Sequence, residues 1–308
     1  MRKIIFDTDI GYDCDDAGAL ALLHRLCDKK EAELIAVTAC YDSAYVAGCI
    51  DAINQYYGRS IPIGVLHGAH KAVDDQPVYS PTLCREHPNA YPPEKPTENA
   101  VALLRKILSQ EEDHSVTLVI TSSLATACAL LQSKPDAISP LTGWELISHK
   151  LDKTVVMGGR FFETWQDDIL LGDDFTVTWE WNIKADVPAA QAVCRSWPGQ
   201  LIFASYEIGL NCISMQKYCQ KAPANDPVRA AYQLHGSTQG RSSWDHTAVL
   251  EAVRPGQYFR RQPWGKISVD DDGITRYQRS ANCLHTYLIP ICTDVFLADA
   301  IDALILPR

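Results

Sequence analysis

The sequence predicts an α/β fold: an open, mainly parallel, Rossmann-like sheet flanked by helices, in a single domain over residues 1–308 with long loop insertions. Short apolar and β-branched runs alternate with helical patterns, which is typical of parallel strands joined by crossover helices. The chain has 308 residues, of which 46% are hydrophobic. That content suffices to bury the core of one large α/β domain.

The first half carries the alternation most clearly. An apolar run at 3–6 predicts the first strand, and the Ala- and Leu-rich segment 17–26 predicts the first helix. Apolar and β-branched runs then predict strands at 33–38 and 61–65, separated by a helix at 45–57. The pattern resumes with helices at 99–108, 123–131, 187–194 and 247–253, and with strands at 116–121, 154–157 and 200–204.

Three stretches interrupt this rhythm. Residues 70–96 are rich in Pro and His, residues 160–178 are acidic and aromatic, and residues 211–243 are polar with a helical middle. Loops of this length in a compact domain are usually functional lids or disordered segments. The sequence Asp-Asp-Asp-Gly at 270–273 is typical of a hairpin turn, and its charges are expected to be solvated there.

An acidic turn follows the first strand. Asp7, Asp9, Asp13, Asp15 and Asp16 place five carboxylates within ten residues. Like charges at this density require a cation, and hard oxygen ligands suit Ca²⁺ or Mg²⁺. A strand, an acidic turn with a glycine and an apolar helix together predict a ligand site at the carboxyl end of a parallel strand.

Composition excludes several classes of function. The net charge of −10 and a pI near 5.3 argue against a nucleic-acid partner, which requires a basic surface. No apolar stretch is long enough for a membrane span, and the N-terminus enters the first strand without a signal-peptide core. The eleven cysteines are scattered and form no CxxC pair. They are expected to be buried thiols in a reducing compartment, so we predict a cytoplasmic protein.

Later strand ends carry residues suited to a sugar and a metal. These are Met157-Gly158-Gly159, Glu180-Trp181-Asn182 and Ser243-Trp244-Asp245-His246. With the opening Asp-Thr-Asp and the acidic pair before alanine, this ordered set resembles the inosine-uridine nucleoside hydrolase family over about residues 3–255. The resemblance implies hydrolysis of the N-glycosidic bond of a nucleoside or related N-riboside, a role in purine or pyrimidine salvage, and a homodimer or homotetramer.

The resemblance also implies roles for individual residues. Asp9 would ligate Ca²⁺ and act as the base that activates water. Asp16, Asp245 and the main-chain carbonyl of Ala125 would complete the metal site. The implied substrate-binding residues are Asp15, Asp42, Met157, Glu180, Asn182 and Trp244. An oxocarbenium-like transition state is stabilised by nearby carboxylates, which fits these residue types.

The chain departs from the family pattern in three places, one of which is the interval from Met157 to Glu180, lengthened by residues 161–174. Its opening motif is two residues longer, and we align it on the helix, so that Asp15 and Asp16, rather than Asp13, match the acidic pair. Trp244 stands where well-known purine-cleaving members carry a histidine that protonates the leaving base. Substitutes for that acid are sought at Tyr232, His235 and His87, each of which is more often an ordinary loop residue.

Two alternatives stay open. Asp7 and Asp9 also match the strand-end Asp-x-Asp of haloacid dehalogenase-type phosphohydrolases, with Asp7 as nucleophile. That interpretation leaves Asp15, Asp16 and Asp245 without a role. The missing histidine also allows a metal-dependent ribose- or nucleoside-binding protein without turnover, although retention of Asp9 argues against it.

Overall fold

The structure is a computed structural model that describes residues 1–69, 76–161 and 179–306. In chain order its strands are β1 (Arg2–Thr8), β2 (Ala32–Ala39), β3 (Ile63–Val65), β4 (Glu98–Asn99), β5 (Val116–Ile120), β6 (Leu151–Met157), β7 (Leu201–Ala204), β8 (Ile213–Ser214), β9 (Arg241–Ser242), β10 (Phe259–Arg261), β11 (Gly265–Val269), β12 (Thr275–Arg279) and β13 (His285–Pro290).

Helices connect most of these strands. They are α1 (Asp15–Asp28), α2 (Val46–Tyr56), α3 (Ser80–Glu86), α4 (Ala100–Gln110), α5 (Ala125–Gln132), α6 (Gly143–Lys150), α7 (Trp181–Ala185), α8 (Val187–Ser196), α9 (Tyr206–Leu210), α10 (Gln216–Lys221), α11 (Pro227–His235), α12 (Trp244–Val253) and α13 (Asp294–Ile305). No helix in the described ranges is long and apolar enough to cross a membrane.

One large sheet organises the fold. Its strand order is β12-β11-β13-β7-β6-β5-β1-β2-β3-β4, with β10 paired to β13. Neighbours from β13 through β4 run parallel, whereas the pairs β11–β12, β11–β13 and β10–β13 are antiparallel. The predicted open, mainly parallel sheet flanked by helices is therefore confirmed.

The sheet separates two hydrophobic layers. Ile4 and Phe6 of β1 pack in one layer with apolar residues of α1, α2 and α12. Ile5 faces the other layer, which includes apolar residues of α4, α5 and α6. Successive strand residues point to opposite faces, so a strand covered by helices on both sides is a continuous apolar run.

Two of the irregular stretches contain regular structure. Residues 211–243 form β8, α10, α11 and β9, with β8 and β9 paired in a small antiparallel sheet. Within 70–96 the described part contains α3. Residues 162–178 lie outside the described residues, so the prediction of an insertion there is not addressed. The sequence 270–273 joins the antiparallel β11 and β12, as the hairpin prediction requires.

The acidic turn has a shape that depends on Gly11. Its φ angle is +128°, and a Cβ at this position would lie 2.7 Å from the hydroxyl oxygen of Ser80. Glycine adopts such a conformation without steric cost, and it leaves room for close packing. The turn between β1 and α1 is thereby fixed against the start of α3.

Candidate functional site

A cavity of about 500 Å³ lies at the carboxyl ends of the central strands. Asp9 and Thr121 directly follow β1 and β5, and Met157 ends β6. From β1 the sheet is extended by β2 on one side and by β5 on the other, and such a switch point is where open α/β sheets bind ligands. The lining residues are Asp9, Tyr12, Asp13, Asp15, Asp16, Gln76, Val78, Thr121, Met157, Glu180, Trp181, Asn182, Tyr206, His235, Arg241, Trp244 and Asp245.

Three buried aspartates lie close together in the lining of this cavity. Asp15 and Asp16 lie in the first turn of α1, and Asp245 lies in the first turn of α12. One carboxylate oxygen of each residue lies within 4.8 Å of one oxygen of the other two. The backbone N–H of Asp245 donates to Oδ2 of Asp15 at 3.2 Å, which ties the two helix starts together. This grouping is what the helix-anchored alignment of the opening motif expects, and the roles of the three residues stay a prediction.

Burial raises the pKa of each of the three carboxyl groups well above its usual range, and neighbouring carboxylates raise it further. The hydroxyls of Thr8 and Thr121 both donate to Oδ1 of Asp16 and oppose this effect only in part. An oxygen-only donor set with this unfavourable charge balance fits a hard divalent cation.

Asp9 lines the same cavity. Its negative charge is one of the causes that raise the pKa of Asp16 and Asp245, so it belongs to the same electrostatic cluster. Ala125 is the first residue of α5, in the segment that follows Thr121, and it is not among the lining residues. The role of its carbonyl therefore stays a prediction.

Glu180 and Asn182 line the same cavity. The Glu180 carboxylate accepts the backbone N–H groups of Asn182 at 2.8 Å and of Gly159 at 3.0 Å, so it caps α7. Burial raises the pKa of Glu180 to about 7, although these bonds favour the charged form. Nδ2 of Asn182 donates to the carbonyl of Met157 at 3.2 Å and lies 3.4 Å from that of Thr121. These contacts fix the ends of β5 and β6 relative to α7.

Asp13, the extra carboxylate of the long motif, stands apart from the buried cluster. Nε of Arg241 donates to its Oδ1 at 3.0 Å, and Nη2 donates to its Oδ2 at 2.5 Å. Nε2 of His235 lies 3.6 Å from Oδ1 of Asp13. Burial would raise the pKa of Asp13, but the bonds and charge of Arg241 hold it below its usual value. Asp13 is thus an anion whose charge is already balanced within the protein.

Trp244 lines the cavity beside this pair. Its Nε1 donates to the carbonyl of Tyr206 at 2.9 Å, and the two rings stack with centroids 5.5 Å apart. The guanidinium carbon of Arg241 lies 5.1 Å from the Trp244 ring centroid. Trp244 is therefore held rigidly next to Asp245, at the position where a histidine was sought.

Asp42 is placed outside the cavity. Its side chain is 43% exposed, accepts the backbone N–H of Gly68 at 3.0 Å and lies 3.6 Å from His67. Asp7 is also excluded from the cavity lining, because it is buried and accepts hydroxyl protons from Thr38 at 2.5 Å and Ser122 at 2.8 Å. Asp42 is thus not brought to the predicted site, and Asp7 is buried among neighbouring hydroxyls.

Of the histidines and tyrosines considered as acids, only His235 lines the cavity. Tyr232 is buried in the core, and His87 lines a different cavity that includes Tyr56. Sequence reasoning missed Thr121, Tyr12, Tyr206 and Arg241. Thr121 is the last residue of a predicted strand, and that position could have indicated a place in the site. Arg241 binds Asp13 across 228 positions, and no local pattern in the sequence indicates that contact.

Comparisons with known proteins agree with this geometry. Residues 4–285 match the family model described as inosine-uridine preferring nucleoside hydrolase. No curated protein matches by sequence. The fold is similar to that of a plant nucleoside hydrolase (TM-score 0.70, 15% identity, covering 100% of this chain and 99% of the other). It also resembles an inosine-guanosine nucleoside hydrolase, with a TM-score of 0.74 and 18% identity over 99% of this chain and 98% of the other. A third similar structure is an inosine-uridine preferring nucleoside hydrolase from Bacillus anthracis, with a TM-score of 0.70 and 17% identity over 99% of both chains.

The structural neighbours establish the fold at these low identities, and the family model covers most of the chain. The residues to which the sequence resemblance assigned roles, apart from Asp42 and Ala125, line one cavity at the strand ends. The chain belongs to the inosine-uridine preferring nucleoside hydrolase family.

Proposed function

We propose that this chain hydrolyses the N-glycosidic bond of a ribonucleoside or a related N-riboside to ribose and free base, with Asp9 as the base that activates water. The observation that supports it most is the meeting of Asp9, Asp16 and Asp245 with Glu180 and Asn182 around one cavity. This lining offers carboxylates to a cation and polar groups to a sugar.

The proposed cation is Ca²⁺. Asp9, Asp16, Asp245 and the carbonyl of Ala125 are its proposed ligands, and the all-oxygen donor set supports a hard cation. The raised pKa of the buried aspartates also supports a cation, because a nearby positive charge would favour their ionised forms. Ca²⁺, when bound, would supply positive charge that orients water and lowers its pKa.

The residues of the chain then divide the remaining work. Asp9 accepts the proton of the attacking water. Asp15 accepts a hydrogen bond from a ribose hydroxyl, and Glu180 and Asn182 bind the other end of the sugar. As the bond to the base breaks, positive charge develops on the ribose ring, and the surrounding carboxylates stabilise it. Orientation of water and sugar in a preformed site contributes much of the rate.

The phosphohydrolase alternative finds little support. A nucleophile must reach the substrate, yet Asp7 is 1% exposed, and both of its carboxylate oxygens accept hydroxyl protons. A pure binding role shares the same cavity and is separated from hydrolysis only by turnover. We also propose homo-oligomeric assembly, a salvage role and a reducing compartment; the last is supported by eleven cysteines that are all free thiols.

The test is an assay of reducing sugar with Ca²⁺ and a panel of purine and pyrimidine ribonucleosides. The wild type is expected to release ribose, and Asp9→Asn is expected to lower the rate about 10²- to 10⁴-fold, the usual contribution of a positioned base. Asp113→Asn is the matched control, since Asp113 is exposed and pairs only with Lys150 among the described ion pairs.

Both variants must be folded, as shown by a cooperative melting transition above the temperature of the assay. Wild-type-like turnover by Asp9→Asn would overturn the assignment of the base. Absence of ribose release from every nucleoside, with Ca²⁺ bound, would favour the binding role. Release of phosphate from p-nitrophenyl phosphate would restore the phosphohydrolase alternative.

A further inference from the structure

The guanidinium of Arg241 is held by one edge. Its Nε and Nη2 donate to Asp13 at 3.0 Å and 2.5 Å, the fork-like geometry in which an arginine binds a carboxylate. The bonds join the first residue of β9 to the acidic turn after β1. An arginine fixed in this way cannot turn freely, so the direction of its other edge is set by the fold.

The second edge of this guanidinium consists of one N–H of Nη1 and the outer N–H of Nη2. Arg241 lines the cavity, its side chain is 34% exposed, and within the described ranges Asp13 is its one hydrogen-bond acceptor. These two parallel N–H donors are left for a ligand in the cavity that Arg241 lines. Because Asp13 cancels the charge, the pair suits a neutral acceptor better than a phosphate or a carboxylate.

The guanidinium of Arg241 faces the ring of Trp244, and its charge opposes the raised pKa of Asp15, the proposed ligand of a ribose hydroxyl. The sugar is already assigned to Asp15, Glu180 and Asn182, which leaves the base as the partner of Arg241. The cavity of about 500 Å³ accommodates a purine nucleoside.

Two parallel donors require two adjacent acceptors. A 6-oxopurine presents O6 and N7 side by side, and this pair is the preferred bidentate partner of arginine. Adenine presents N7 beside an amino group, which is a donor, and uracil has no two adjacent acceptors. Cytosine has the adjacent pair O2 and N3 on a smaller ring, and is the competing base.

We propose that Arg241, positioned by Asp13, recognises the O6/N7 edge of a 6-oxopurine and makes inosine and guanosine the preferred substrates. This inference rests on the proposed function. Negative charge develops on the base as it departs, so the bonds from the guanidinium strengthen towards the transition state. The preference is therefore expected in kcat/KM, with part of it in kcat.

The test compares kcat/KM for inosine, guanosine, adenosine, cytidine and uridine in the wild type, Arg241→Ala and Arg241→Lys. In the wild type, inosine and guanosine should exceed the other three by about 10- to 100-fold, the discrimination of a good bidentate pair. In Arg241→Ala the rate with inosine should fall by a similar factor, the rate with adenosine should change less than threefold, and the preference should collapse. Arg241→Lys keeps the charge but loses the two-donor edge, and should fail to restore the preference.

The ratio of rates with inosine and adenosine is the decisive readout, because a purely structural role of Arg241 would lower both rates equally. An equal loss on both nucleosides would overturn the proposal. So would a wild-type preference for adenosine, uridine or cytidine. If no nucleoside is hydrolysed, the proposed function itself fails, and that result is distinct from hydrolysis without selection of the base.

Discussion

The buried aspartates predict a variant that loses activity and gains stability. In Asp245→Asn the shape of the side chain is kept while one negative charge leaves the cluster with Asp15 and Asp16. Two unit charges 4.8 Å apart repel by about 3.5 kcal/mol at an effective dielectric constant of about 20. Holding a proton on an aspartate at pH 7, the other way to relieve this repulsion, costs about 4 kcal/mol.

Both the repulsion and the protonation destabilise the metal-free protein, so removing one carboxylate from the cluster should recover part of the lost free energy of unfolding. We expect the free energy of unfolding of metal-free Asp245→Asn to exceed that of the metal-free wild type by about 1–3 kcal/mol, since an amide beside a carboxylate can also donate a hydrogen bond. At a Ca²⁺ concentration 100 times the dissociation constant, the wild type should gain about 2.7 kcal/mol. The variant should lose most of that gain, together with turnover.

The measurement is thermal unfolding in EDTA and in CaCl₂ at one pH, with Asp113→Asn as the exposed control. The crossing of the two curves is the signature: the variant is more stable in EDTA, and the wild type is more stable in Ca²⁺. A variant less stable than the wild type in EDTA, or one with the full response to Ca²⁺, would refute the assignment of Asp245 to a cation site.

Three further results are expected. Burial raises the pKa of Glu180 to about 7 in the folded protein, so its contribution to stability is present below its unfolded pKa of about 4.3 and is lost as the pH rises through about 7. In EDTA, Glu180→Gln should therefore reduce the loss of stability between these pH values, and an unchanged pH profile of the melting temperature would contradict this. Asp7→Asn replaces an acceptor with a donor facing a hydroxyl and should cost about 1–3 kcal/mol of stability while turnover persists at permissive temperature; complete loss of activity in the folded variant would contradict the buried structural role. Arg105→Ala should cost about 1–3 kcal/mol in chemical denaturation, because the buried guanidinium donates to the carbonyls of Ser139 and Leu141 as well as to Asp136, and a loss below that range would show that these bonds add little.

Much of the fold follows from local pattern. The strand at Leu201–Ala204 and the helix at Val187–Ser196 are found within a few residues of their predicted bounds, because their apolar periodicity decides both element and face. The strands Phe259–Arg261 and His285–Pro290, which pair antiparallel with each other, were not predicted. They are short and mixed in composition, and their structure depends on the pairing with each other and not on a local signal.

The site was predictable where it follows directly from strand ends. Asp9 and Met157 meet because parallel strands finish at the same edge of the sheet. The same argument fails for Asp42, whose strand also ends at that edge. The chain there turns towards His67 and Gly68, and the carboxylate is bound by them. Strand position predicts proximity, but the direction of a loop side chain depends on contacts made elsewhere.

The proposed cation site joins residues that are far apart in the chain. Asp9 and Asp16 are synthesised early, whereas Asp245, more than two hundred residues later, joins them only when α12 has packed against α1. A growing chain therefore carries its acidic turn exposed and unable to form the full ligand set until residue 245 has left the ribosome. High-affinity cation binding would then report that α12 has packed against α1, and an ion present in the cell would stabilise only the chains in which these two helices have docked correctly.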